Sequence, residues 1–172
     1  MYEYKKKGYL DMKKKHRVLL YVLLERRDIG TAYVLSELLE HMDCECYIAG
    51  SNSYCSKFVR MWNPNAIIFG TLSRLQTFSK IYPNAHLFYY PVEGGESYEF
   101  TNDKNLAEDQ NYFNKLSGIY LWGQFSKDHI LRRARELKHK SFLYGQESLL
   151  DEKCKIIGHP RLDFIRYYRN EV

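Results

Sequence analysis

The sequence has no hydrophobic run of the roughly 18–20 residues that a membrane-spanning helix needs. Its longest candidate, Val18 to Leu24, has the length of one buried strand. Met1 to His16 carries charge but no apolar core of the secretory kind. Together these absences predict a chain that works in the cytoplasm. Cysteine is sparse, with one C-x-C and no C-x-x-C among Cys44, Cys46, Cys55 and Cys154. The paired ligand spacing of a structural zinc site is therefore missing, and no metal is expected. Cys44 and Cys46 stand two apart on a predicted strand, share a face, and read as small core or half-buried residues.

Several catalytic signatures are missing too. There is no G-x-G-x-x-G, which argues against a nicotinamide or flavin dinucleotide site, and no G-x-x-x-x-G-K-[ST], which argues against a P-loop. No G-x-S-x-G elbow or Ser-His-Asp order supports a hydrolase, and no H-E-x-x-H supports a metalloprotease. No internal repeat occurs, and low complexity is confined to lysine clusters.

What is present suits one globular domain. A chain of 172 residues can bury one sizeable core, and 45% apolar with 27% charged residues is an ordinary globular composition. The net charge of +5 is local. Lys5, Lys6, Lys7, Lys13, Lys14, Lys15 and Arg17 face only Glu3 and Asp11, and the rest of the chain is balanced. A nucleic-acid binder would be expected to carry a basic face on its folded body, so no nucleic acid is expected here. The leader over residues 1–16 reads as a basic arm. It either meets anionic lipid at the inner membrane surface, at about 1 kcal/mol per basic residue, or is simply solvated.

From residue 17 onward, short apolar runs alternate with amphipathic stretches. Arg17 to Leu24 is a continuous run, as in a strand buried on both faces. Glu25 to Thr31 reads as a polar turn. Ala32, Leu35, Leu38, Leu39 and Met42 then recur at helical spacing. Further strands are predicted over Cys44–Ala49, Ala66–Gly70, Ala85–Tyr90, Gly118–Trp122 and Lys155–Gly158. Helices are predicted over Ser53–Trp62, Leu72–Tyr82, part of Asn105–Leu116, Ser126–Lys138 and Asp163–Tyr168. Strands alternating with helices need crossover connections. That predicts an α/β fold, a Rossmann-like, doubly wound, mostly parallel sheet of about six strands with helices on both faces.

In such sheets ligands collect outside the carboxyl ends of the strands. The loop Glu93-Gly94-Gly95-Glu96-Ser97 is the most pointed constellation there. Its glycines free the backbone to form a concavity, and a carboxylate could act as general base on a hydroxyl; a solvated flexible loop is the other reading. Around Arg27, Asp28 and Gly30, Thr31 or Asp28 could cap the following helix, whose free N–H groups favour an anion. A cap with a surface ion pair explains the same residues. In Gly158-His159-Pro160-Arg161-Leu162-Asp163, Pro160 suits a helix start, Arg161 and Asp163 can pair, and His159 could carry a proton.

Taken in order, these segments resemble the N-terminal domain of bacterial surface-carbohydrate biosynthesis proteins of the GT-B glycosyltransferase type. The marks are Arg17 to Leu24 with Arg27-Asp28, the Glu93-Gly94-Gly95 loop, Leu121-Trp122-Gly123, and Ile157 to Asp163. The last is similar to the G-x-P-R-x-D segment of these proteins and of CDP-glycerol glycerophosphotransferases. The resemblance implies an acceptor-side domain spanning residues 17–172, working on a glycan or lipid-linked acceptor in capsule or envelope polysaccharide synthesis. Glu93 or Asp28 would be the catalytic base. Arg27, Gly30, Gly94, Gly95, Glu96, Ser97 and Gly123 would meet substrate, and His159, Pro160, Arg161 and Asp163 would lie between domains. No cofactor is implied for this domain.

The nucleotide-activated donor would sit in a second domain, which would begin near Val172 and is absent from this sequence. The resemblance thus implies a chain inactive alone, completed by a donor domain or partner chain. A non-catalytic glycan- or partner-binding module is the alternative. A flavodoxin- or receiver-like regulatory domain is weaker, because Arg26 and Arg27 accompany the acids after the first strand and Gln124, not lysine, follows Gly123.

Overall fold

The computed structural model describes residues 16–23, 25–91, 110–136 and 144–158. Strand β1 (His16–Val22) leads into α1 (Glu25–Glu40), β2 (Cys44–Gly50), α2 (Lys57–Trp62) and β3 (Ala66–Phe69). A short 3-10 turn over Leu72–Arg74 runs straight into α3 (Leu75–Ile81), followed by β4 (His86–Tyr89). The remaining elements are α4 (Gln110–Asn114), β5 (Leu116–Leu121), α5 (Gln124–Glu136), α6 (Glu147–Lys153) and β6 (Cys154–Ile156).

The six strands form one sheet in the order β2-β1-β3-β4-β5-β6, and every pairing is parallel. This is the expected Rossmann-like α/β architecture. From β1 the chain steps outward to β2, crosses back over β1 to β3, and then proceeds the other way. Strand β1 is therefore paired on both edges, His16 to Val22 with β2 and Val18 to Tyr21 with β3. Its run of five buried residues, Val18 to Val22, follows from that position, since neither face meets water.

Alternation along the strands builds two cores. Val18, Leu20 and Val22 turn to one face, where Ala32, Leu35 and Leu39 of α1 cover them. Leu19, Tyr21, Ile67, Phe69, Tyr89 and Ile119 turn to the other. There Val59 of α2, Phe78 of α3, Ile130 of α5 and Leu150 of α6 complete the larger cluster. Helices thus lie on both faces. Tyr21, Tyr54 and Phe78 meet edge to face with centroids 5.2–5.4 Å apart, a geometry that adds to simple area burial.

The element boundaries differ from expectation in several places. Glu25 to Thr31 is not a turn but the first two turns of α1. Nothing there breaks a helix before Gly30, and the Asp28 carboxylate accepts from Leu23 N–H at 3.1 Å. A first-turn acid reaching back to a donor ahead of the helix ties the start of α1 to the end of β1. Helix α2 begins at Lys57 rather than Ser53, because Ser56 caps it by accepting from Val59 N–H while Ser53 is engaged with Gly50. Strand β6 starts one residue early, at Cys154, and the short α6 before it was not foreseen. The expected helix over Asp163–Tyr168 lies outside the described residues.

Two glycines test this packing. Gly118 on β5 sits beneath the stacked rings of Phe88 and Tyr120, and an added Cβ would come within 3.1 Å of the Phe88 ring. Gly30 faces open space on exposed helix, with nothing among the described residues within 4 Å of an added Cβ. In urea denaturation Gly30→Ala should raise stability by about 0.5–1 kcal/mol, whereas Gly118→Val should lower it by about 1–3 kcal/mol.

Candidate functional site

The direction of the chain reverses around β1, so the crevice at the carboxyl ends of β1 and β3 is the sheet's topological switch point. A cavity of about 30 Å³ opens there, walled by Val22, Asp28, Thr31, Ile68, Gly70 and Tyr90. Asp28, Thr31, Ala32 and Leu35 reach it together because positions i, i+3, i+4 and i+7 share one helix face.

Both polar residues of that face are buried, each at 4% exposure. Asp28 is tied to the backbone ahead of its helix, accepting from Leu23 N–H. Thr31 differs: among the described residues its Oγ1 has no hydrogen-bond partner.

Two aromatic residues tie the strand ends together across this edge. Tyr90 N–H donates to Phe69 O at 2.9 Å, and the Tyr90 hydroxyl donates to Gly158 O at 3.4 Å. Trp122 Nε1–H donates to Pro91 O at 2.8 Å. Ile157 N–H continues the β6 pairing by donating to Leu121 O at 2.9 Å. Gly158 then turns with φ +80°, a conformation that glycine adopts without strain. The chain reaches Pro91, two residues before Glu93, and Gly158, one before His159, on the same edge of the sheet.

Comparison of the chain with protein-family models, with curated proteins and with solved structures finds no match.

The expected site residues fare unequally. Asp28 lines the cavity. Gly30, expected in a turn that lets a ligand approach the backbone, instead lies within α1 on exposed helix surface. Arg27 is in the first turn of α1. Gly123 follows β5, and its carbonyl accepts from Lys127 N–H at 3.3 Å as α5 begins. Glu93, Gly94, Gly95, Glu96, Ser97, His159, Pro160, Arg161 and Asp163 lie outside the described residues. Tyr90 and Trp122 escaped the sequence reading as edge ties, because an aromatic residue ending a buried strand looks like any core residue.

Other chemistry is limited. Burial, with Cys44, Glu40 and Glu45 adding to it, pushes the Cys46 thiol up to about 12. Burial likewise pushes Cys154 up to about 12, so neither offers a thiolate nucleophile near neutrality. Burial also raises the Tyr21 phenol, against the nearby Arg74 guanidinium. Among the described residues no group of three His, Cys, Asp or Glu could hold a metal ion. Among the same residues no helix is long and apolar enough to cross a membrane.

The carboxylate has a structural role that mutation can isolate. Asp28→Ala leaves the Leu23 N–H without its acceptor and should destabilise the fold by about 1–2 kcal/mol in urea denaturation. Asp28→Asn keeps an acceptor oxygen and should cost less than half as much. Equal losses for the two would mean that charge, rather than the bond to Leu23, holds α1.

Proposed function

We propose that this domain is the acceptor-side half of a GT-B type glycosyltransferase of surface-polysaccharide synthesis. It would be completed by a donor-binding domain or partner chain that brings a nucleotide-activated sugar. The observation that carries this reading is the Tyr90 hydroxyl bond to Gly158 O. It joins the start of the Gly158-to-Asp163 segment to the end of the strand that leads into the Glu93 loop. The described residues that precede the two motifs, Tyr90 and Gly158, thereby meet at one edge, and Tyr90 also lines the cavity that Asp28 lines.

In this reading an acceptor hydroxyl oxygen attacks the anomeric carbon, the bond from that carbon to the nucleotide phosphate oxygen breaks, and the nucleotide leaves. The hydroxyl proton passes to a carboxylate. Asp28 is 4% exposed and bonded to the helix start, so Glu93 is the better base and Asp28 a positioning residue. The acceptor is a glycan or a lipid-linked precursor. The basic arm over residues 1–16 would bring the domain to the inner membrane surface through anionic lipid.

One observation favours the alternative of a binding module without chemistry. The carboxylate seen in the cleft already accepts from Leu23 N–H and is only 4% exposed, which does not suit a general base. Transfer to envelope acceptors, assayed with the donor half present and a panel of UDP-, GDP- and CDP-activated donors, separates the two. Glu93→Gln should lower the rate by about 10²–10⁴-fold without unfolding the protein, the usual range for a lost general base. Acceptor binding with no turnover in either form would support the binding module instead.

A further inference from the structure

We infer that the cavity between α1 and the carboxyl ends of β1 and β3 is the seat for one neutral hydroxyl group of a polyol or sugar, with Thr31 as the residue that recognises it. The inference rests on the proposed acceptor cleft and names the chemistry that its floor selects.

A threonine inside a helix commonly satisfies its hydroxyl by donating to a carbonyl one turn back. Thr31 Oγ1 does not, and it has no partner among the described residues although only 4% of the residue is exposed. A buried hydroxyl without a partner is costly to the fold, and native proteins keep few of them. This one lines a cavity rather than being packed against carbon on all sides.

Size and charge then narrow the occupant. About 30 Å³ admits a group of the size of a hydroxyl. The Asp28 carboxylate in the same wall opposes an anion. A neutral O–H suits both groups, because it accepts from Thr31 and can donate to a carboxyl oxygen of Asp28. Val22, Leu35 and Ile68 supply apolar wall for the carbon that bears the hydroxyl. The seat is an anchor for a non-reacting hydroxyl, and it sets which polyhydroxylated molecules enter the cleft.

The test is amide NMR of the full chain titrated separately with glycerol, methyl α-D-glucopyranoside and inorganic phosphate. The neutral probes should shift the amides of Asp28, Thr31, Ala32 and Gly70 in a saturable way, and phosphate should not. Thr31→Val removes the hydroxyl at constant shape and should weaken that binding about tenfold or more, while Thr31→Ser should restore it to within about threefold. Three results would each overturn the inference: phosphate alone shifting these amides, no probe shifting them (a resident water only), or neutral probes binding Thr31→Val as well as wild type. Sugar binding without any transfer would reject the catalytic reading and leave this seat standing. Transfer with unchanged acceptor affinity in Thr31→Val would reject the seat alone.

Discussion

Everything in this domain depends on β1 being paired in parallel on both edges. A strand in that position has no edge open to water and no face open to it, so its side chains must be apolar on both sides. That is why Val18 to Val22 form an unbroken buried run. The same placement forces the chain to reverse around β1, with β2 on one flank and β3 on the other. The reversal opens the crevice at the carboxyl edge, so the core strand and the candidate site are two consequences of one constraint.

The crevice keeps its shape through a small number of polar bonds. Asp28 fixes where α1 begins relative to the end of β1. Tyr90 and Trp122 fasten the ends of β4, β5 and β6 to one another. Each of these bonds takes up a backbone carbonyl or N–H at the margin of the sheet, where an unmade bond is more costly than a made one is favourable. Against that frame the Thr31 hydroxyl, like that of Tyr21, is buried without a hydrogen-bond partner among the described residues.

Much of the fold was legible in the sequence, and for a physical reason. Buried parallel strands are written as continuous apolar runs, as in Val18–Val22 and Ala66–Phe69, while covering helices carry stripes such as Ala32, Leu35 and Leu39. The strand order was not legible, since it depends on which edge each crossover returns to. Glu25 to Thr31 was misread because a charged segment containing one glycine has the composition of a turn. What makes it helix is the contact between Asp28 and Leu23 N–H. Asp28 was legible as a residue of the switch-point edge, whereas the roles of Tyr90 and Trp122 exist only once distant strand ends are side by side.

The central claim is that β1 is the doubly paired heart of the sheet. Native-state hydrogen exchange tests it most directly, through amides on the central and edge strands. The account predicts that the amides of Leu19 to Val22 exchange only through global unfolding, while those of β6 and the outer edge of β2 exchange through smaller openings. Exchange of the β1 amides as fast as those of β6 would contradict the strand order, and with it the crevice on which the site depends.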